Sequence, residues 1–203
     1  MKLYKNFLTL CLAICAPVFH AQAAEYDFKD PKGVNHIVFM LDAPLEFISG
    51  SGNDITGKVE FDSSAPEKTS GSIHLGSASL SVANKKMTEV MQGKKWLNVP
   101  INTNVVFDID SLKVTETDGD MTKGIVAGSL TLMGVKKTVN APVTITLVKD
   151  GAKTRGYGKG DLLVVRSEFS IKLGEYGLKL NPATRLKVSN EVQLKVVLAG
   201  YGQ

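Results

Sequence analysis

Along most of its length this sequence alternates apolar and polar residues with a period of two. Val192, Leu194, Val196 and Leu198 fall on one side of an extended segment, while Gln193, Lys195 and Val197 fall on the other. Leu163, Val165, Phe169, Ile171 and Leu173 oppose Arg166, Glu168 and Lys172, and Val139, Ala141, Val143, Ile145 and Leu147 form a further apolar row. Successive side chains of a strand point to opposite faces, whereas a helix would repeat every three or four residues. Eight runs of this character are expected as strands: Asn35–Leu41, Thr56–Phe61, Gly71–Val82, Asn104–Val114, Met121–Leu132, Val139–Val148, Asp161–Leu173 and Thr184–Leu198. Between them, residues 49–54 (SGSGND), 117–120 (TDGD) and 149–151 (KDG) supply residues that tolerate φ > 0 in tight connections. Short connections join antiparallel neighbours, while a parallel sheet would need a crossover helix between strands. The expected fold is all-β, a soluble antiparallel barrel or sandwich with its apolar faces inward.

One segment departs from this pattern. In residues 83–92 (ANKKMTEVMQ) helical spacing lets Val82, Met87, Val90 and Met91 share a face, and Asn84 suits the N-cap. A short helix covering one mouth of the sheet structure is expected there. An outer-membrane barrel would put its apolar band outside and its polar residues in the lumen. The many charges on the polar faces, the 7% aromatic content and the terminal Gly200-Tyr201-Gly202-Gln203 argue against it.

The first 23 residues read as a secretory signal: Lys2 and Lys5, an apolar run from Phe7 to Phe19, and the small-x-small site Ala21-Gln22-Ala23. The run is too short for a membrane span, which needs about 20 apolar residues. The expected mature chain, residues 24–203, forms one domain in the periplasm or outside the cell. Both cysteines, Cys11 and Cys15, would leave with the signal, so neither a disulfide nor thiol chemistry is expected. With 22 basic and 20 acidic residues remaining, the net charge of +2 is too small and too dispersed for a nucleic-acid surface. Paired lysines such as Lys85-Lys86, Lys94-Lys95 and Lys136-Lys137 read as solvated faces or turns.

Catalytic and cofactor motifs are scarce. His36 and His74 stand apart, without the close spacing of a metal pair. No Gly-x-Ser-x-Gly elbow occurs, and the glycines around Ser51 lack the spacing and the following helix of a dinucleotide loop. Asp118 and Asp120 flank a turn glycine without the ligand series of a calcium loop. Neither a metal nor a cofactor is expected. Few catalytic groups combined with generous apolar faces point to a binding protein for an apolar ligand.

Residues 128–139 (GSLTLMGVKKTV) resemble the Gly-Asp-Leu-Thr-Leu-x-Gly-Val-Thr-Lys-Pro-Val signature of the YceI-like family of periplasmic proteins. Val165-Arg166-Ser167-Glu168-Phe169 and Val188-Ser189-Asn190-Glu191-Val192 resemble two further family segments in the same order, and Gly57-Lys58-Val59-Glu60-Phe61-Asp62 a fourth. Asp42-Ala43-Pro44-Leu45-Glu46 stands where the family has His-Leu-Gly, and Lys85-Lys86-Met87-Thr88-Glu89 replaces an acidic, histidine-bearing segment. The resemblance implies an eight-stranded, lipocalin-like antiparallel barrel that holds a polyisoprenoid, an isoprenoid quinone or a fatty-acyl lipid. A barrel of this size either fills with its own side chains or encloses one slender ligand. The ligand contacts expected are Phe39, Leu41, Phe47, Ile73, Phe107, Ile109, Leu130, Leu132, Phe169 and Ile171. Room is expected beside small residues such as Ser77, Ala78, Ser79, Ala127, Gly128 and Ala141. Such a carrier would touch a membrane transiently without spanning it, and self-association into a homodimer is left open. Two alternatives remain: an enzyme acting on a lipid-like substrate through His36 or His74, and a closed-core interaction module with no cavity.

Overall fold

The structure, a computed structural model, describes residues 23–202. Apart from Ala23, the expected signal lies outside the described residues.

Eleven strands form one antiparallel sheet: β1 (Ala24–Asp27), β2 (His36–Asp42), β3 (Phe47–Gly52), β4 (Ile55–Phe61), β5 (Ser70–Gly76), β6 (Ser81–Val82), β7 (Asn104–Asp118), β8 (Met121–Leu132), β9 (Val135–Val148), β10 (Leu162–Lys172) and β11 (Glu191–Gly202). Eight of them close a ring, β1-β4-β5-β7-β8-β9-β10-β11, because β1 pairs with β4 on one side and with β11 on the other. The result is an eight-stranded antiparallel barrel in which neighbours in sequence are neighbours in space. Three staves of this barrel are broken along their length. β11 pairs with β1 at Tyr201 and Gly202 and with β2 from Gln193 to Val197, so β2, β3 and β6 continue the staves of β1, β4 and β5 toward the other end. Among the described residues no ladder joins β6 to β7, and the helix α1 (Lys85–Gln92) together with residues 93–103 occupies the intervening chain. Two single-turn helices, α2 (Gly151–Thr154) and α3 (Pro182–Arg185), sit in the remaining long connections.

Of residues 49–54, whose composition suggests a hairpin loop, 49–52 belong to β3 and only Asn53 and Asp54 connect it to β4. The turn lies earlier, where the Ala43 N–H donates to the Glu46 carbonyl, and Phe47 to Gly52 then pair with β2. The reason is packing: a Cβ on Gly50 would lie 2.3 Å from Phe39 Cζ, its cross-strand partner's ring. Glycine is there to let a phenyl ring lie on the sheet. β9 also begins earlier than its apolar run, because Met133 and Gly134, both at positive φ, make a two-residue turn that starts the ladder at Leu132 and Val135. The Gly119 hairpin between β7 and β8 forms as expected.

α1 forms as its sequence suggests. The Asn84 Oδ1 accepts from the Met87 N–H at 3.0 Å, satisfying one of the free donors of the first turn. Thr88 Oγ1 both accepts from the Val82 N–H and donates to the Val82 carbonyl, and Gln92 Nε2 donates to the carbonyls of Ala78 and Leu80. These bonds fix the helix across the β5–β6 stave.

The opposite end is packed shut. Phe28 is 1% exposed and Leu163 fully buried, with Tyr26 and Leu198 around them. The buried Asn35 side chain donates to the carbonyls of Phe28 and Ala199 and accepts from the Ala199 N–H, tying the β1–β2 connection to the end of β11. Asp30 gathers the N–H groups of Lys32, Val34 and Asn35, the Tyr201 hydroxyl and the Arg155 guanidinium. Burial alone would raise the Asp30 pKa. The hydrogen bonds and Arg155 outweigh it and hold the carboxyl below the ordinary carboxylate value.

Candidate functional site

A cavity of about 620 Å³ runs into the barrel from the end opposite Phe28. The interior is therefore not filled by its own side chains, which speaks against a closed-core module. Each wall strand contributes through its inward parity: Ile37, Phe39 and Leu41 from β2, Ile73 and Leu75 from β5, Val105 and Phe107 from β7, Val126, Leu130 and Leu132 from β8. Phe169 and Ile171 of β10, and Val192, Leu194, Val196 and Leu198 of β11, complete the circuit. α1 turns Met87, Val90 and Met91 onto the cavity, the face its spacing suggested. Trp96, Leu97, Leu178 and Val188 come from the irregular connections that frame the mouth.

The polar groups of the lining are few and lie mainly at that mouth. Glu46, Asn181, Thr184 and Lys187 belong to the rim connections, and Asn181 Oδ1 is already committed to the Thr184 N–H as the cap of α3. Deeper in, Ser167 directs its hydroxyl to the Pro142 carbonyl at 2.6 Å, so the wall itself satisfies it. A deep apolar interior with a polar rim fits a molecule with a long apolar part and a small polar end.

Of the residues expected at the ligand, Phe39, Leu41, Ile73, Phe107, Leu130, Leu132, Phe169 and Ile171 line this cavity. Phe47 does not. It is 64% exposed because the parity of β3 turns Ile48 inward instead. Ile109 also lies outside the lining and packs on the core beside a β7 bulge between Ile109 and Ser111. Of the small residues expected to leave room, Ala141 lines the cavity, whereas Gly128 is covered by the Phe107 ring, whose Cζ would be 2.4 Å from an added Cβ. The β11 row was legible from its alternation. Trp96, Leu97 and Leu178 carry no periodic signal, and Val188 falls within the expected strand Thr184–Leu198 but lies in irregular chain before β11.

Neither histidine reaches the cavity. His36 is exposed with its Nδ1 2.9 Å from the Val34 carbonyl. His74 alternates with the inward Ile73 and Leu75, and its Nε2 is 3.0 Å from Ser72 Oγ on the outer wall. Among the described residues no group of three His, Cys, Asp or Glu side chains is placed to hold a metal ion.

The profile of the YceI-like domain matches residues 32–199. The chain belongs to the YceI-like family. Relatives include a UPF0312 protein of Ectopseudomonas mendocina, 30% identical over 192 residues and covering 90% of each chain, and one of Pseudomonas putida, 28% identical over 96% of this chain and 98% of its own. Among solved structures, Burkholderia cenocepacia BcnA superposes with a TM-score of 0.64 at 19% identity, over 81% of this chain and 95% of its own. A polyisoprenoid binding domain from Saccharophagus degradans, implicated in plant cell wall breakdown, also reaches 0.64 at 12% identity, over 90% of this chain and all of its own. The YceI-like barrel of this chain is thus a fold shared with proteins far removed in sequence.

Proposed function

We propose that this protein is a carrier that holds one long apolar chain, a polyisoprenoid, an isoprenoid quinone or a fatty-acyl lipid, inside its barrel after export to the periplasm. The observation that carries this reading is the cavity of about 620 Å³ with its apolar wall. A polyisoprenoid-binding neighbour of the same fold supports the ligand class, and the signal-like first 23 residues support export. Burying about 600 Å² of hydrocarbon at about 25 cal/mol/Å² contributes on the order of 15 kcal/mol before the cost of immobilising the ligand. Micromolar binding needs no catalytic group, and we read the protein as a binder rather than an enzyme. The ligand enters tail first, leaving its polar end among Glu46, Asn181, Thr184 and Lys187.

Trp96, the sole tryptophan, lines the cavity and so reports on its occupancy. Titration with an isoprenoid quinone should give a saturable change in its emission. Phe107→Asp and Phe169→Asp should abolish that change with circular dichroism intact, while His36→Ala and His74→Ala leave it unaltered. Absence of a saturable response in the wild type would sink the proposal.

A further inference from the structure

The open end of the barrel differs from the closed end in two independent respects. The first is apolar exposure. Among the described residues, nine large hydrophobic side chains are exposed, and five stand at the mouth: Leu45 at 67%, Phe47 at 64%, Val90, Ile101 and Leu186. Val34, Val148 and Tyr157 stand at the closed end, and Ile125 lies on the outer wall. Leu45 and Leu186 come from different connections that are tied together, the Leu45 N–H donating to the Leu186 carbonyl at 2.8 Å. Their immediate neighbours Glu46 and Lys187 line the cavity, so these exposed apolar side chains border the polar rim of the opening.

The second is charge. The connections at the mouth (residues 43–46, 77–103, 133–134 and 173–190) carry seven basic and three acidic residues. Those at the closed end (28–35, 62–69, 119–120 and 149–161) carry seven and six. Apolar side chains ringed by lysines match the surface of an anionic bilayer, which takes up the former at its acyl boundary and attracts the latter to its headgroups. A mouth-to-mouth pair of copies would instead set like charges against each other.

We propose that the mouth is a docking surface for anionic phospholipid bilayers, with Leu45, Phe47 and Leu186 as the inserting side chains. It rests on the carrier reading for its purpose, since docking would bring the opening to the lipid, but not for its test. Protein purified from cells expressing the full chain should co-sediment with phosphatidylcholine vesicles containing about 30% phosphatidylglycerol, and weakly with pure phosphatidylcholine, because the attraction is to surface charge. Leu45→Asp combined with Leu186→Asp should weaken vesicle binding at least about tenfold, and raising salt from about 0.05 M to about 0.5 M should weaken it too. Val34→Asp at the closed end should leave it unchanged, and so should Phe107→Asp, which separates docking from cavity occupancy. The proposal is overturned if the anionic vesicles do not bind, if the mouth substitutions leave binding intact, or if Val34→Asp weakens it equally. Self-association lost on Leu45→Asp, without vesicle binding, would assign the surface to a second copy instead.

Discussion

Gly128→Ala should destabilise the barrel and narrow its cavity through one contact. The added Cβ would lie 2.4 Å from Phe107 Cζ and 2.5 Å from the Asp108 carbonyl oxygen. Carbon atoms rest at about 3.5–4.0 Å, so the ring must retreat by about 1 Å. Both residues belong to inward rows, and the ring's way out is into the cavity. Overpacking of this kind costs about 1–3 kcal/mol. At about 2–4 °C per kcal/mol for a chain of this size, the melting temperature should fall by about 2–12 °C. The assay is a double-mutant cycle with Phe107→Leu, read by chemical denaturation. Shortening the side chain removes the ring clash but not the carbonyl contact, so a coupling of about 0.5–3 kcal/mol should offset part of the penalty. Quinone binding monitored at Trp96 should weaken in Gly128→Ala and recover in part in the double variant. Additivity within about 0.5 kcal/mol would refute the idea that the ring rests on the glycine.

Asn35→Ala should cost about 2–4 kcal/mol by urea unfolding, because it strands the Phe28 and Ala199 carbonyls and the Ala199 N–H at the closed end; a loss below about 1 kcal/mol would contradict that role. Asp30 is held below its ordinary pKa, so its contribution is present above about pH 4 and is lost as pH falls through the folded value. Asp30→Asn should therefore be less stable at neutral pH and flatter in its acid limb, whereas parallel acid limbs for the two proteins would refute the assignment. Tyr176 is 2% exposed and its hydroxyl has no hydrogen-bond partner among the described residues. Burial, and then Glu175, push its pKa up. Tyr176→Phe should leave stability unchanged or raise it by up to about 1 kcal/mol, and a clear loss would reveal a partner for the hydroxyl.

Much of the barrel is legible in the sequence because a soluble sheet with one wet face must alternate. β8, β10 and β11 show that alternation directly, and the site residues on β2, β5, β7, β8 and β10 follow from inward parity. What escaped detection has physical causes. β1 is four residues long and carries no pattern of its own. β3 reads as a loop because Gly50 serves a phenyl ring and Gly52 meets Leu75 and Leu80, although glycine usually marks a turn. Losing β3 lost its parity, which is why Phe47 rather than Ile48 was expected inside. Trp96, Leu97, Leu178 and Val188 frame the mouth from irregular chain, where orientation is set by tertiary contacts alone.

Whether the cavity carries a long apolar chain is decided by native mass spectrometry of protein purified from its own host. A bound species of lipid mass is expected, one that organic extraction releases and that Phe107→Asp protein lacks. Wild-type protein that carries no such species and takes up no added isoprenoid quinone would contradict it.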